Sequence, residues 1–232
     1  MAATEQKNKR PRARRMNPVE REQMIVRKAV KFFAEHGFDA STRELAKHIG
    51  VTQSLLYRYF PTKQALIEKV YGHVYMARWN PMWEEGLRDR DKPFEQRLKE
   101  YYLDYAQNLM RNEWVRILIF AGLRQKGIDN KFFKLLHERI FKTVVFEARH
   151  EFAFTPDAGS DDIDLEIELV WALHASIFYI GMRRWVYQTS IPKNFNSVIE
   201  ALVEGLIQSL AHLYKKRSQG HVGAADTGSM AS

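Results

Sequence analysis

Residues 41–66, STRELAKHIGVTQSLLYRYFPTKQAL, predict two short helices that are joined by a tight turn and followed by the start of a third helix. Ser41 and Glu44 have the spacing of a capping box, in which the hydroxyl and the carboxylate satisfy backbone N–H groups at a helix start. Gly50 is placed to end the first helix, because glycine accepts the left-handed conformation of a helix end. Thr52 can then cap the second helix. The stretch therefore predicts a helix-turn-helix, whose second helix enters a DNA major groove.

The side chains of the second predicted helix separate into an inner and an outer set. Val51, Leu55 and Leu56 are expected to pack inward. The outer set has residue types that can bond bases and phosphates, namely Gln53, Ser54, Tyr57, Arg58 and Tyr59. An ordinary corner of a helical bundle is the alternative, but its solvated face would normally carry more Glu and Lys and less Tyr. DNA binding is therefore the favoured interpretation.

The positive charge of the chain is concentrated in its N-terminal third. Residues 1–78 hold 16 Lys and Arg against 7 Asp and Glu, a net of +9, whereas residues 79–232 hold 20 against 21, a net of −1, and the sum is +8. A localised basic region is typical of a polyanion partner. Residues 1–16 are predicted to be a disordered basic arm, which either contacts DNA or is a solvated tail.

Composition excludes several classes of protein. The chain has 232 residues and is 45% hydrophobic, which predicts a folded core rather than global disorder. It has no cysteine, so disulfides and thiolate metal sites are excluded, and a cytoplasmic location is expected. No apolar run approaches the ~18 residues of a membrane span, and the N-terminus lacks the apolar segment of a secretory signal.

The remaining sequence predicts helices throughout, and no stretch alternates as a half-buried strand would. A helix with Asn17 as its cap and Gly37 at its end precedes the quoted stretch. We expect an all-α protein with a helix-turn-helix domain at 17–62, a linking helix at 63–79, a helical ligand-binding and dimerisation domain at 80–217, and a disordered tail at 218–232. Helices are predicted at 93–110, 113–125, 130–150, 162–188 and 195–216, whereas 80–92 breaks the helical pattern.

The segment 18–71 resembles the DNA-binding domain of the tetracycline-repressor (TetR) family. The matching residues are Ala29, Phe32, Gly37, Phe38, Thr42, Leu45, Ala46, Gly50, Val51, Leu56, Tyr57, Tyr59, Phe60, Lys63 and Leu66, and the run L-Y-x-Y-F-x-x-K is the most distinctive part. The resemblance covers about a quarter of the chain. It implies an all-α homodimer with double-stranded DNA as its partner and a variable ligand-binding domain behind the DNA-binding head.

The resemblance also implies roles for individual residues. Thr42 and Arg43 would contact phosphate, and Arg58 is a further candidate for the DNA contact. Thr52, Gln53, Ser54 and Leu55 would begin the recognition helix at the base edges, Tyr57 and Tyr59 would contact the backbone, and Lys63 would meet a phosphate at a helix N-terminus. A small residue is common at the position of Leu55, so base preference stays open.

The implied mechanism is repression that a ligand relieves. Two heads would read two half-sites of a palindromic operator, and a small apolar or aromatic ligand would change their spacing. The sequence does not separate repression from activation, nor ligand control from control by protein contacts. It contains no phosphate-binding glycine loop, nucleophile elbow or paired metal-binding histidines, so we predict that the protein is not an enzyme and needs no cofactor or metal.

The last predicted helix carries small residues at intervals of four. Ala201, Gly205 and Ser209 would let two helices approach closely, with Leu202 and Leu206 beside them. We therefore expect a four-helix dimer interface formed with the 162–188 helix. Packing of the same helices within one chain is the alternative.

The C-terminal part is rich in aromatic residues, which are typical of pocket walls. The candidates for a ligand pocket are Trp79, Tyr102, Tyr105, Trp114, Phe120, Phe141, Trp171, His174 and Phe178. Aromatic residues at helical spacing are also typical of plain core. His174, without a second histidine one turn away, is expected to be a hydrogen-bonded core or ligand-contacting residue rather than a metal ligand.

Overall fold

The computed structural model describes residues 16–109, 111–124, 130–156 and 163–226, and these residues contain helices and no β-strand. The α-helices are α1 (Pro18–His36), α2 (Thr42–Ile49), α3 (Gln53–Tyr59), α4 (Lys63–Val74), α5 (Met82–Arg88), α6 (Phe94–Leu109), α7 (Asn112–Leu123), α8 (Asn130–Leu136), α9 (Lys142–Glu151), α10 (Asp164–Trp185) and α11 (Phe195–Asp226). A 3₁₀ turn, Met76–Arg78, follows α4, and a π-helical segment, His137–Phe141, joins α8 to α9. The predicted all-α fold is confirmed.

The head of the molecule consists of α1, α2 and α3 around one apolar core. Asn17 caps α1 and forms a capping box with Glu20, and Gly37 ends the helix with φ of 70°. Both predicted ends of this helix are confirmed. Ile25 and Phe33 of α1 are fully buried against α2 and the chain that follows α1.

Helix α4 connects the head to the C-terminal helices. Its N-terminus is capped by Thr62, whose Oγ1 accepts a hydrogen bond of 3.0 Å from the backbone N–H of Ala65. Leu66, Ile67 and Val70 are buried, because α4 packs against α1 on one side and α7 on the other. A movement of α4 therefore alters contacts in both parts of the chain.

Two buried ion pairs fix the positions of three C-terminal helices relative to one another. Arg149 of α9 reaches Glu166 of α10 at 2.6 Å, and Arg97 of α6 reaches Glu147 of α9 at 2.8 Å. A buried charge without its partner is strongly destabilising, so these pairs fix α9 relative to α6 and α10.

Helix α5 lies where the sequence predicted a break in helical pattern. Proline is tolerated at a helix start, where its missing N–H is not needed, so Pro81 does not prevent α5. Trp83 and Leu87, one turn apart, are buried and attach α5 to the core. The prediction missed this helix because its stability comes from tertiary packing.

Helix α11 continues to Asp226, beyond the predicted end at Lys216. The prediction of a disordered tail from 218 is therefore wrong within the described residues. An established helix gains a hydrogen bond with each added residue, and this offsets the poor helix propensity of glycine. The predicted basic arm lies outside the described residues apart from Met16.

Within the described part of the chain, α10 is the one helix whose length and composition fit a membrane span. Its mean hydropathy over an 18-residue window is 1.3, and 44% of that window is buried inside the fold. A core helix of a soluble protein passes the same test, so this helix is weak evidence for a membrane segment. The sequence prediction had not singled it out.

Candidate nucleic-acid interface and aromatic cluster

The helix-turn-helix has the local geometry that the sequence predicted. The backbone N–H of Ser41 donates to Glu44 Oε2 at 2.8 Å, and that of Glu44 donates to Ser41 Oγ at 3.2 Å, which completes the capping box. Gly50 adopts the left-handed conformation, with φ of 81° and ψ of 38°. Thr52 caps α3 by accepting a hydrogen bond of 3.2 Å from the N–H of Leu55.

Three polar side chains join α2 to α3 on an exposed surface. Gln53 Nε2 donates to Thr42 Oγ1 at 3.0 Å, and the hydroxyls of Thr42 and Tyr57 lie 3.1 Å apart. These hydrogen bonds lower the pKa of the Tyr57 phenol. The three groups orient one another, and they present hydroxyl and amide groups to solvent. We call Thr42, Gln53 and Tyr57 the polar triad.

The residues that are predicted to contact DNA differ in their exposure to solvent. Arg43, Thr52, Gln53, Ser54, Tyr57 and Arg58 are exposed, whereas Thr42, Leu55, Tyr59 and Lys63 are half-buried. Tyr59 packs against the hydrophobic core and lies beside Arg58, so it is not the free outward residue that the sequence predicted. Its intermediate position follows from the short length of α3, whose last turn contacts the head core.

Lys63 is anchored within the protein. Its ammonium donates to the carbonyl of Ala40 at 2.5 Å and so ties the start of α4 to the loop before α2. Partial burial, together with repulsion from Arg124, lowers the pKa of Lys63. Lys28 plays a similar part by donating to the carbonyl of Ile49 at 2.6 Å. No local pattern predicts this role of Lys28, because the bond links residues 21 positions apart.

The head of the described chain is only moderately basic. Residues 16–78 hold ten Lys and Arg and six Asp and Glu, a net of +4 (10 − 6), and the other +5 of the N-terminal excess belongs to 1–15. A positive head attracts a polyanion, and the attraction weakens with salt.

Seven of the nine predicted pocket residues come together around His174 of α10. The ring of His174 lies 4.5 Å from Tyr105, 5.3 Å from Phe141, 6.0 Å from Trp171 and 6.3 Å from Tyr102, between ring centroids. Two further residues complete the set. The ring of Trp114 lies 5.8 Å from that of Tyr105, and the ring of Phe178 lies 6.1 Å from that of Trp114. We call these seven residues the aromatic cluster.

The aromatic cluster contains polar atoms that lack partners. Tyr105 Oη lies 2.9 Å from His174 Nε2, but His174 Nδ1 and the Tyr102 hydroxyl have no hydrogen-bond partner among the described residues. Burial lowers the pKa of His174 to about 3, so its imidazole is neutral at physiological pH. The cluster therefore combines packed and mostly buried rings with two unused polar groups, and small-molecule sites combine the same residue types.

The other two predicted pocket residues lie apart from the aromatic cluster. Trp79 contacts Trp83 beyond the end of α4, with ring centroids 5.4 Å apart. Phe120 packs where the head meets α7, and its ring would lie 3.3 Å from a Cβ added at Gly37. Phe120 lies in α7, within the predicted helix, whereas Trp79 follows the 3₁₀ turn in an extended conformation and is not part of the predicted linking helix. Sequence spacing could not show which neighbour each residue would face.

The aromatic cluster is connected to the head through Trp114 and Tyr75. Tyr75, which directly follows α4, donates its hydroxyl to the carbonyl of Trp114 at 2.5 Å, and the two rings lie 5.3 Å apart. A second connection is made by Arg116 of α7, which donates to the carbonyls of Ala34 in α1 and Trp185 in α10. Neither connection could be predicted from the sequence, because each joins residues that are far apart in the chain.

The predicted dimer residues lie on two faces of α11. Ala201, Gly205 and Ser209 are exposed, whereas Leu202 is half-buried and Leu206 is buried. Nothing lies within 4 Å of a Cβ added at Gly205. The small residues are therefore available to a partner, and Leu206 serves the core of its own chain.

Comparison with known protein families finds a match in the head and the first part of α4. Residues 25–70 match the model of bacterial regulatory proteins of the tetR family. An uncharacterized HTH-type transcriptional regulator, YuxN of Bacillus subtilis (strain 168), is 35% identical over 57 residues, which are 24% of this chain and 20% of that protein. The chain thus aligns with only about a fifth of the length of this curated relative.

Solved structures resemble the chain over most of its length. A TetR-like transcriptional regulator from Rhodococcus sp. RHA1 superposes with a TM-score of 0.57 and 16% identity, over 84% of this chain and 97% of the other. A tetR-family transcriptional regulator from Streptomyces coelicolor gives a TM-score of 0.58 and 15% identity, over 88% and 87%. At this identity the likeness establishes the fold, including the C-terminal helices.

Proposed function

We propose that this chain, a DNA-binding transcriptional regulator of the TetR family, represses transcription from a palindromic operator and leaves it when a small apolar or aromatic ligand binds. The observation that carries the proposal is the polar triad, which presents oriented hydroxyl and amide groups on the exposed face of α2 and α3. It lies in the basic part of the chain, where a phosphate backbone is attracted.

The DNA-contacting residues divide into two groups in this proposal. Gln53 and Ser54, at the N-terminus of α3, read base edges in the major groove, and Leu55 contributes an apolar contact. Phosphates are contacted by Thr42, Arg43, Tyr57 and Arg58. Lys63 has a more structural part than the family resemblance implies, because its ammonium already holds the carbonyl of Ala40.

A homodimer provides the second head. The exposed small residues of α11, Ala201, Gly205 and Ser209, meet those of a second chain beside the two copies of α10. Two heads then read half-sites about one helical turn apart, or a multiple of it, roughly 34 Å or more along the DNA.

The ligand binds in the aromatic cluster. Its apolar part replaces ring contacts around His174, and a polar group on it bonds the free Nδ1 of His174 or the hydroxyl of Tyr102. Since the imidazole is neutral, a ligand that hydrogen-bonds is favoured over one that needs a cation. Trp79 and Phe120 have no place in this site.

The displacement that the ligand causes is transmitted to the head through Trp114. A ligand that displaces its ring also shifts the carbonyl that Tyr75 holds, and Tyr75 moves the end of α4. Such a ligand releases DNA only to the extent that it prefers the arrangement of heads that does not fit the operator. We assign no catalytic role to the chain, and an activator or a regulator controlled by protein contacts is the alternative.

Selection of bound sequences from random DNA duplexes at about 0.1 M salt tests the DNA-binding part of the proposal. We expect an inverted repeat to be enriched. The variant Arg43→Gln/Arg58→Gln should lose the enrichment, whereas Lys193→Gln/Lys216→Gln, which removes the same charge outside the head, should retain it. Recovery of no inverted repeat, or equal loss in both variants, contradicts the proposal.

A further inference from the structure

A solvent-open cavity of about 240 Å³ lies between the head and the C-terminal helices. Its walls come from α1, from the end of α4 with its 3₁₀ turn, and from the start of α7. The polar side chains that line it are almost all basic: Arg27, Lys31, His73, Arg78 and Arg111, with Glu113 as the acidic member.

The positive charges in the wall of this cavity outnumber the negative charge that Glu113 supplies. Arg27, Lys31, Arg78 and Arg111 form no ion pair and no side-chain hydrogen bond with any residue that the structure describes. By contrast, Arg90 is paired with Glu147. All four side chains are exposed, so water and salt screen their charges, but four neighbouring cations without partners still attract an anion.

Burial and neighbouring positive charges both act on two ionisable groups of the cavity, His73 and Arg78. Burial and the charges of Arg78 and Arg27 lower the pKa of His73. Burial and Arg111 lower the pKa of Arg78, and Glu113 offsets part of this effect. The basic groups are therefore near enough to one another to act together on one ligand.

The position of the cavity distinguishes it from the DNA-reading face. His73 and Lys63 lie at opposite ends of α4, ten positions apart, which is about 15 Å along a helix axis. Lys63 lies beside the loop before α2, whereas the cavity is at the end that meets α7. A duplex held by the polar triad is not the expected occupant.

The apolar part of the cavity wall limits what else can bind. Val30, Val74 and Trp114 line it beside the basic groups. Trp114 is also a member of the aromatic cluster, but the cavity opens to solvent and the cluster is buried. Pockets for drug-sized ligands are about 300–1,000 Å³, so this smaller cavity suits a compact ligand with a short apolar portion.

We propose that this cavity binds a small organic anion with at least two negative charges, as in a phosphate ester or a polycarboxylate. Its charges are met by Arg27, Arg78 and Arg111, and its apolar portion lies against Trp114. Because α1 belongs to the head, α4 connects the head to the C-terminal helices and α7 is one of those helices, the bound anion holds the two parts together. The site is additional to the ligand site of the aromatic cluster.

The test is isothermal titration calorimetry of the full-length protein at low ionic strength. Three probes are used, namely inorganic pyrophosphate, adenosine 5′-monophosphate and citrate. We expect at least one probe to bind and to raise the melting temperature. The variant Arg78→Gln/Arg111→Gln should bind it at least tenfold more weakly, whereas Lys193→Gln/Lys216→Gln, with the same loss of charge elsewhere, should bind it as the wild type does. Tighter binding of pyrophosphate or adenosine monophosphate than of citrate would indicate a phosphate site, and the reverse order would indicate a carboxylate site.

Proton NMR of the histidines provides a second readout that does not depend on variants. A bound dianion should raise the pKa of His73, since it offsets the charges of Arg27, Lys31, Arg78 and Arg111 around it, and Glu113 is the single opposing group in the wall. The proposal is contradicted if none of the three probes binds, if both variants weaken binding equally, or if His73 titrates unchanged in saturating probe. Selection of an operator, as described above, would be unaffected by such a failure.

Discussion

At the residue scale, Tyr57 offers the most direct test of the DNA-reading face. Tyr57→Phe keeps the ring and removes only the hydroxyl that faces Thr42, and the side chain is 39% exposed. We expect the affinity for a selected duplex to fall about tenfold, which is about 1.4 kcal/mol and is close to the lower end of the roughly 1.5–3 kcal/mol of a hydrogen bond to a charged group. Fluorescence anisotropy with labelled duplex measures the change.

The matched control for Tyr57 is Tyr187→Phe, at a tyrosine that is 55% exposed outside the head. This variant should bind DNA like the wild type, and both variants should melt at the wild-type temperature. Wild-type DNA affinity in Tyr57→Phe would remove this hydroxyl from the contacts.

His174 gives the stability of the protein a predictable pH dependence. Its pKa is about 3 in the folded state and near 6.5 in an unfolded chain, so the unfolded state binds more protons between these values. Its contribution to stability is therefore complete above pH 6.5 and is lost as the pH falls, by at most about 1.4 kcal/mol per pH unit.

Urea denaturation of wild type and His174→Phe across pH 4.5–7.5 checks this prediction. The free energy of unfolding of the wild type, relative to the variant, should rise with pH up to about 6.5 and then stay constant. The exposed His212 is the control, since His212→Gln should leave the pH profile unchanged. A constant difference between wild type and His174→Phe over the whole range would mean that His174 is not buried as a neutral group.

At the scale of elements, the helix ends of the head were predictable because their signals are local. Each cap couples residues three or four positions apart, so Ser41 with Glu44, Gly50, and Thr52 could be read directly from the chain. Helix α5 was missed, because Trp83 and Leu87 form it by packing against distant helices. Sequence patterns report such packing only weakly.

The dimer prediction belongs to α11. Gly205→Arg places a long side chain on the exposed face of small residues, so we expect the dimer to dissociate. Protomer stability should not fall, because arginine is favoured over glycine in a helix by about 0.8 kcal/mol. Light scattering after size exclusion should give twice the 27.3 kDa of one chain for the wild type and 27.3 kDa for the variant.

The control for this substitution is Gly86→Arg in α5. A Cβ added at Gly86 also has nothing within 4 Å, so the two changes are alike except for the helix that carries them. Gly86→Arg should remain dimeric. A dimeric Gly205→Arg would place the interface on another surface.

At the scale of the whole molecule, the contacts that connect the head to the aromatic cluster could not be predicted from the sequence. Seven of the nine aromatic candidates came together, but Phe120 faces Gly37 instead, and no local pattern distinguishes these outcomes. The links made by Tyr75 and Arg116 are likewise long-range, since they join residues 39 and 69 to 82 positions apart. Hydrophobic spacing predicts which face of a helix is buried and leaves the partner open.

The Tyr75 link predicts a separation of binding from coupling. Tyr75→Phe removes the bond to the Trp114 carbonyl, so ligand and operator should each still bind while the ligand releases DNA less effectively. Tyr101→Phe is the control, because the buried hydroxyl of Tyr101 has no partner among the described residues. Undiminished release in Tyr75→Phe would show that coupling uses another route, such as Arg116.

The central claim is that one ligand and one operator oppose each other on the same molecule. The most direct measurement is the affinity of the wild-type protein for its selected operator, across a titration with the apolar or aromatic compound that most stabilises the protein against heat. We predict at least a tenfold fall in operator affinity at saturation, with an equal fall in ligand affinity when operator is bound, since linkage is reciprocal. An operator affinity that stays unchanged at saturating ligand would contradict the account.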